Sequence, residues 1–552
     1  MRAIFRSSLP QRTVALAIFA TALVVTGAET SRAPLQNGSE LHGEIRVTAA
    51  SEASVEDFFP SFLEYQDLIM FHPKFGYYGS GRVSFSADYQ TYPIVLSPYF
   101  GQMITEQIFR MWDGMRQAGT LGPKDRFTIA EFGAGDGALA EQILTYVGEK
   151  SKAEQRWGEF AEQLLYVCYD RSPALNQTQR KRNARFGKQF EAREADATDP
   201  VATIPAGSLK GVVLSNELPD AFSVHKVILS QAGSAEVAFV IPSLSGKAWN
   251  QVKASLPAAV VEQVSAADRT IHEKFFPDKQ ADTTYLSRAT FVALMESLVS
   301  AKEYTSDVGL LEFHEIYVPA RAVPEVAEHL RRYAHLYAGE LAKSNSGVVT
   351  YINLGEEKFV QGAGKILGAG YVLTIDYGTN WDGVLLQDVP HLRTYGPAHS
   401  EENSRVDIEQ GVNPVTGEPE ERDTSDPYNR PTLNDITTDV NFSLMAAEGE
   451  LAGLRTAYFG QQRALVSGTK INLDVIPSYR LNDDGLVKEY QSWLNDFKKG
   501  VTFKLLVQQK VNTDGAYKYP DTEPMPLGLN DKDFSPAQRD EAARIERGLA
   551  AK

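Results

Sequence analysis

Residues 127–149, FTIAEFGAGDGALAEQILTYVGE, decide the fold. Phe127 to Ala130 is a short apolar run of the kind a buried strand needs, and from Ala138 onward the apolar positions recur at helical spacing. Between the two, Gly133, Gly135 and Gly137 let the backbone turn tightly. The unit reads as strand, glycine turn, helix. Further strands follow in LLYVCYD, ending at Asp170, in QFEAREAD, ending near Asp196, and in KGVVLSNEL, ending at Asn216-Glu217. After the helical segment EEKFVQGAGKILG comes a fifth strand, GYVLTIDYG, ending at Asp376. Near-continuous apolar strands alternating with helices predict an α/β, Rossmann-like parallel sheet with helices on both faces.

In such sheets the ligand sits outside the carboxyl ends of the strands. A phosphate-binding loop needs Gly-Lys-Ser/Thr after the turn, whereas here Gly137 is followed by Ala138-Leu139. A dinucleotide fingerprint needs G-x-G-x-x-G; the spacing here is G-x-G-x-G, with Glu131 before the turn and Asp136 inside it. Carboxylates repel a pyrophosphate and favour a cationic ligand. S-adenosylmethionine (SAM), with its sulfonium and ammonium, meets that demand. Asp170 is then placed to accept both ribose hydroxyls, and Asp196-Ala197 to flank the adenine. A plain strand-to-helix bend explains the glycines, but not acids at three successive strand ends.

The segment Ser215-Asn216-Glu217-Leu218-Pro219-Asp220 leaves the fourth strand, beside that ligand. Methyl transfer is an in-line displacement, so positioning dominates. Asn216, Glu217 and Asp220 are the acceptor-side candidates: the two acids suit a guanidinium clamp and a proton acceptor. Helix capping is the plainer role for Asp220. His225 is a further base candidate, although a packed histidine accounts for it better.

The chain has 552 residues, which at about 150 per domain means one elaborated domain or two. Apolar residues make up 43% and charged ones 23%, the balance of a folded globular protein. Asp plus Glu number 71 against 55 Lys plus Arg, a formal charge of −16 that argues against nucleic acid and for a protein or basic peptide partner. The single Cys168 excludes an intramolecular disulfide and cysteine-based zinc motifs, and no metal site is expected.

Residues 1–28 carry Arg2, Arg6 and Arg12, no acid, and the apolar run Thr13 to Ala28, with small residues at Thr26 and Ala28. This is the pattern of a Sec-type signal or anchor, and the expectation is an exported protein or one attached to a membrane only through this segment; a mitochondrial transit segment is the alternative. The body divides into a linker at 29–54, an N-terminal helical cap at 55–126, a SAM-binding core at 127–223, a helical insertion over the sheet at 224–356 and core completion at 357–397. There follow an acidic loop at 398–431, a C-terminal extension at 432–513 containing an amphipathic AEGELAGLRTAYFGQ and the strand VTFKLLVQQK, and a peripheral tail at 514–552.

Taken together, these residues resemble the MidA-like family of class I SAM-dependent methyltransferases, whose mitochondrial members are protein-arginine methyltransferases assisting respiratory complex I assembly. FHPKFGYYGSG resembles the family's tyrosine-glycine signature, ADYQTYPIVLSPYFGQ its G-D-F-x-T-S-P segment, and EFGAGDGALAEQIL its cofactor loop. YDRSPALNQTQ, SNELPDAFSVHKV, LTIDYG and LNDITTDVNFSLM are similar to its later motifs. The resemblance implies a class I sheet, SAM contacts at Glu131, Gly133, Gly135 and Asp170, and acceptor-side roles for Asn216, Glu217 and Asp220. It also implies a lid over the methionine end from Tyr78 and Ser80, and methyl transfer to a nitrogen, above all of protein arginine. Departures are Ala87-Asp88-Tyr89 for Gly-Asp-Phe, Thr91-Tyr92-Pro93 for Thr-Ser-Pro, and Asp439-Val440-Asn441 where the family has His-Val-Asp.

Two other readings remain open on sequence. A non-catalytic assembly factor would use the acidic loop, nine acids from Glu401 to Asp426 against Arg405 and Arg422, to hold a basic partner. A nicotinamide dehydrogenase is disfavoured by the missing third glycine.

Overall fold

The computed structural model describes residues 55–81, 83, 91–230, 233–277, 282–299, 308–341, 347–379, 392–395, 426–428, 431–466, 469–478, 481–482, 485–486, 490–499 and 502–510. The signal-like leader, the linker, nearly all of the acidic loop and the tail lie outside the described residues.

Four parallel strands open the core: β1 (Phe127–Phe132), β2 (Leu164–Asp170), β3 (Phe190–Glu194) and β4 (Leu209–Asn216). The chain then builds a separate antiparallel sheet from β5 (His225–Leu229), β6 (Ala235–Ser245), β7 (Thr283–Tyr285), β8 (Glu312–Pro319) and β9 (Val348–Ile352). It returns to the first sheet with β10 (Leu367–Thr379), parallel to β4. β11 (Leu392–Tyr395) pairs with β12 (Asp435–Thr438), and β13 (Val440–Asn441) runs along the end of β10. Then follow β14 (Leu454–Gln461), a short hairpin of β15 (Leu481–Asn482) and β16 (Gly485–Leu486), and β17 (Phe503–Lys510), which inserts antiparallel between β10 and β14. The order across the main sheet is β3-β2-β1-β4-β10-β17-β14.

The helices that shape the site are α1 (Phe62–Phe71), α2 (Tyr99–Gln117), α3 (Ala138–Ala153), α4 (Pro173–Asn183), α5 (Leu354–Ile366), α6 (Phe442–Leu451) and α7 (Tyr490–Lys499). Alternation along the strands sends Ile129, Cys168, Leu214 and Leu373 to one face, under α2 and α3, and Ala130, Val167, Val213 and Val372 to the other, under α5 and α6. Both faces are apolar and both are covered, as the continuous apolar strands require. From β1 the chain works outward to β2 and β3, then crosses to β4 on the opposite side of β1. That reversal opens a crevice at the carboxyl ends of β1 and β4.

Two expectations need correction. The insertion at 224–356 does contain helices, among them Arg288–Leu298, Pro324–Arg332 and Ala334–Leu341, but it also holds a five-stranded sheet that the helical reading omits. The reason is burial on both faces: in β6, Val237, Phe239 and Ile241 enter one core while Ala238, Val240 and Leu244 enter another, so no polar alternation marks the strand. The N-terminal cap joins this second sheet, since Pro60 O accepts from Val240 N at 2.8 Å and α1 shares its core. The amphipathic stretch AEGELAGLRTAYFGQ is also divided: α6 ends at Leu451, Gly453 turns the chain at φ +77°, and the remainder is β14.

Gly211 and Gly370, on neighbouring strands of the main sheet, have φ +146° and +131°, and a Cβ on Gly370 would lie 1.8 Å from Gly211 O. Gly370→Ala is therefore expected to cost about 3 kcal/mol or more in urea unfolding. In contrast, Gly114→Ala, in α2 with nothing within 4 Å of a new Cβ, should stabilise by up to about 1 kcal/mol.

Candidate functional site

The glycine turn lies at the reversal. Gly133, Gly135 and Gly137 all have positive φ, +69°, +51° and +81°, and Gly137 opens α3. Two buried side chains one helical turn apart on α4 hold this turn: Gln179 Nε2 donates to Gly135 O at 2.8 Å and Asn183 Nδ2 to Gly137 O at 3.1 Å. Sequence reasoning missed both, because amides in the polar run QTQRKRN read as a solvated face. Asp136 is charge-balanced, with Oδ2 2.7 Å from Arg182 and Oδ1 accepting from Ala138 N at 3.0 Å.

Glu131 is engaged inside the sheet, where its Oε2 accepts from the Tyr166 hydroxyl at 2.8 Å and the Cys168 thiol at 3.7 Å, and burial pushes it up to about 7. Asp170 stands at the tip of β2. Its Oδ1 accepts from Ser172 N at 2.9 Å, leaving Oδ2 outside that bond, and burial pushes it up to about 7. After β3, Asp196 closes its own turn by accepting from Thr198 N and Oγ1, both at 2.8 Å, with Ala197 buried beside it. A left-handed glycine turn with an acid at each of the next two strand ends fits the amino-acid end, ribose and adenine of SAM in chain order.

The lid candidates separate. Ser80 Oγ donates to Gly76 O at 2.7 Å and so braces its own turn. Tyr78 stacks on Phe71, ring centroids 5.8 Å apart, and its hydroxyl hydrogen-bonds Asp435 on β12. It belongs with the acceptor-side carboxyls.

Those carboxyls converge beyond β4. Glu217 has φ +51°, a conformation that costs a non-glycine residue of order ~1–3 kcal/mol. It is held there by its N–H to Ile375 O at 2.9 Å. Its carboxyl accepts from Asn216 Nδ2 at 3.1 Å and from the backbone N–H of Tyr92, and burial, with the charge of Asp220, pushes it up to about 8. Asp220 is buried and pushed up to about 6 by burial; its N–H donates to Asp376 Oδ2 at 3.3 Å. Three further acids that sequence reasoning did not assign complete the group. Asp376, at the end of β10, is held well above the carboxylate range by burial and by Asp220 and Glu217. Asp435 is pushed up to about 8 by burial and then Asp220. Glu356, in the first turn of α5, is raised well by burial and accepts from Asn441 N at 3.2 Å. The available signal was an acid inside LTIDYG and another inside LNDITTDV.

His225 begins β5 and is buried, with burial lowering it to about 4, and neither ring nitrogen has a hydrogen-bond partner among the described residues. It is a packed neutral histidine. Tyr92, standing where the family has serine, was not foreseen as part of the site: its hydroxyl donates to Asp496 Oδ2 on α7 at 2.6 Å, and its ring packs edge-on to Trp493 and Phe503.

Elsewhere several buried acids are paired with a cation, although Glu131 is not. Glu315 meets Lys226 at 2.8 Å, Glu448 meets Arg332, and Asp439, in the place of the family's histidine, meets Arg393 at 2.6 Å. Among the described residues, no Lys, Arg or His forms an ion pair with Glu217, Asp220, Glu356, Asp376 or Asp435. No group of three or more His, Cys, Asp or Glu among the described residues is arranged to hold a metal ion.

A doubly wound sheet with one reversed strand near its edge, a left-handed glycine turn at the reversal and an acid-lined crevice beside it define a class I methyltransferase. Residues 103–460 match the model of the family described as "Putative S-adenosyl-L-methionine-dependent methyltransferase", and the chain belongs to this MidA-like, SAM-dependent methyltransferase family. Membership removes the nicotinamide reading. Among solved structures, a Burkholderia thailandensis protein with bound S-adenosyl-homocysteine is 18% identical, with TM-score 0.49, covering 92% of this chain and 95% of that one. A native crystal structure from the same organism gives 18% and 0.47 over the same shares. Geranyl diphosphate C-methyltransferase from Streptomyces coelicolor is 8% identical, with TM-score 0.26, over 73% of this chain and 76% of that one. No curated protein matches the chain.

A branched side chain at the left-handed Gly135 must distort the turn. Gly135→Val is expected to weaken SAM binding at least tenfold by calorimetry, about 1.4 kcal/mol or more, with the unfolding midpoint little changed. Asp170→Asn should weaken binding by a similar factor.

Proposed function

We propose that the protein transfers a methyl group from SAM to a nitrogen of arginine in a protein or basic peptide. The observation that supports this most is the set of five carboxyls at the crevice, Asp220, Glu356, Asp376 and Asp435 buried and Glu217 half-buried, with no cation paired to them among the described residues, whereas Glu315, Glu357, Glu448 and Asp439 each meet one. An uncompensated buried charge is costly, so such groups either take up protons or await a cationic ligand. A guanidinium supplies the charge, and its planar N–H fork supplies donors.

Bound SAM supplies an electrophilic methyl carbon on a sulfonium. The chain's own residues do the rest. Glu217, fixed by Ile375 O, Asn216 and the Tyr92 backbone, is the group placed to take the proton that the acceptor nitrogen loses as its bond to carbon forms and the carbon–sulfur bond breaks. Its pKa near 8 suits a base working near neutrality. Asp220, braced on Asp376, orients the guanidinium by charge-assisted hydrogen bonds. The chain's charge of −16 favours encounter with basic segments. Where that encounter takes place follows from the leader: we propose an exported or membrane-anchored protein, with a mitochondrial destination as the alternative.

Glu217→Gln should reduce methyl transfer to an arginine peptide at least a hundredfold while SAM affinity stays within about twofold; joint loss would place Glu217 in the cofactor site instead. Because Glu217 holds its proton below about 8, kcat/KM should climb as pH rises through that value and then level off. Initial rates from pH 6 to 9.5 check this.

The same shifts set a stability trend. Glu217 and Asp435 rise from 4.5 and 3.8 to about 8 in the fold, so between those limits the folded state holds protons that the unfolded chain releases. Their contribution is fully present below the unfolded values and is lost as pH rises through about 8. Thermal scans of the ligand-free protein should show a melting temperature that falls from pH 5 to pH 8.5.

A further inference from the structure

On the acceptor side, the buried oxygens without a hydrogen-bond partner among the described residues include Asp220 Oδ1, Asp435 Oδ1 and Thr437 Oγ1, besides Glu356 Oε2 and, on the opposite face of β12, Thr438 Oγ1. Asp220, Asp435 and Thr437 are 5%, 4% and 2% exposed. Asp435 and Thr437 lie two apart on β12, hence on one face of that strand. β12 is fixed against the acceptor side by Gln66 of α1, which donates from Nε2 to Ile436 O at 3.2 Å and accepts from Val224 N at 3.0 Å. Asp435 itself is steadied by the Tyr78 hydroxyl. A buried carboxyl without a cation can be made neutral by a proton. Thr437 cannot be accounted for in that way: it is uncharged, and a buried hydroxyl without a partner costs about 1–3 kcal/mol.

We infer that Asp435 and Thr437, facing Asp220, form a second limb of the acceptor pocket that grips the far side of a planar guanidinium and so selects arginine over lysine. The inference rests on the reading of Glu217 as the group beside the reacting nitrogen. The unsatisfied atoms of Asp220, Asp435 and Thr437 come from two elements, β12 and the turn at Pro219–Ala221 after β4. A guanidinium carries five N–H donors in a rigid fork, enough to reach Glu217 on one edge and Asp220, Asp435 and Thr437 on another. An ammonium concentrates three donors on one atom and reaches one limb only. Asp435 thus touches the substrate through its side-chain oxygen and sets specificity, whereas Tyr78 and Gln66 are positioning residues that hold it.

The test is calorimetry on the full chain saturated with S-adenosylhomocysteine, at pH above 8, with N-acetyl-arginine methylamide and N-acetyl-lysine methylamide as probes. The arginine probe should bind at least tenfold tighter than the lysine probe. Asp435→Asn should remove at least tenfold of the arginine affinity with S-adenosylhomocysteine binding unchanged, and Thr437→Val should act in the same direction by about threefold while Thr437→Ser restores it. Equal binding of the two probes, no arginine-probe binding up to millimolar concentration, or wild-type arginine affinity in Asp435→Asn would each overturn the inference. Should Asp435→Asn fail to fold, the threonine pair decides by the same criterion, and Thr437→Val with wild-type affinity overturns it. The two proposals fail separately. Selective arginine binding without methyl transfer sinks the assignment of Glu217 alone; transfer to arginine that ignores Asp435→Asn and Thr437→Val sinks the second limb alone.

Discussion

Four buried carboxyl groups and the half-buried Glu217, gathered beside the reversal point of the sheet with no cation paired to them among the described residues, are the constraint on which the rest of this architecture depends. No pair of elements makes the crevice. Glu217 and Asp220 arrive from β4, Asp376 from β10, Glu356 from α5 and Asp435 from β12, so the main sheet, its covering helix and the β11–β12 ribbon must all be in register before the group exists. The strained backbone of Glu217 belongs to the same economy of form: a left-handed glutamate persists only where its surroundings over-determine it. Here the over-determination is an N–H bonded to the neighbouring strand and a carboxyl received by the Tyr92 backbone.

The second sheet supplies the walls. Lys226 on β5 and Glu315 on β8 form a buried ion pair that also receives the hydroxyls of Tyr317 and Tyr428, and Tyr65 of α1 donates to Pro427 O at 3.2 Å. Residues 426–428, at the end of the acidic segment, are thereby tied to the insertion and to the N-terminal cap together. On the other flank, Arg332 bridges Glu357 of α5 and Glu448 of α6, with Tyr333 and Gln361 on the same carboxylate. Buried ion pairs of this kind add little net stability over an apolar contact, but they allow only one relative placement of the elements they join. In this protein that placement aligns the insertion and the ribbon over the crevice.

Sequence alone revealed the main sheet because β1, β2, β4 and β10 are buried on both faces and bounded by turns, a pattern carried by consecutive residues. It also placed the glycine turn, Asp170, Asp196 and Glu217 at or just after strand ends, and the structure has them there. The second sheet was hidden because β6 is buried on both faces without polar alternation, and the helices Ala258–Phe275 and Arg288–Leu298 that separate it from β8 dominate the reading of that stretch. Asp376, Glu356 and Asp435 were hidden for another reason. Each sits in an ordinary context in its own segment, a strand end, a helix first turn and a short ribbon, and acquires meaning only from neighbours far away in the chain, as Asp435 does from Asp220 and Tyr78. Gln179 and Asn183 show the limit most sharply, since nothing in a polar helix marks two amides as buried except the turn they hold.

The charge arrangement also explains how a cofactor turn and an acid-rich crevice share one end of the sheet. On the cofactor side, Asp136 is balanced by Arg182, and Glu131 is buried behind Tyr166 and Cys168, so little uncompensated charge faces the glycine turn. The acids raised toward neutrality lie on the acceptor side, where a cationic ligand would favour their ionised forms. In the proposed reaction the positive charge on sulfur vanishes as a proton appears on Glu217, so the crevice is no more negative after the transfer than before it. The carboxyl group that is raised toward neutrality is therefore the one suited to absorb that change in the proposed reaction. A crevice of fully ionised, salt-bridged acids would have no such capacity, so in the proposed reaction it is the lack of a paired cation among the described residues, rather than the acids themselves, that matters.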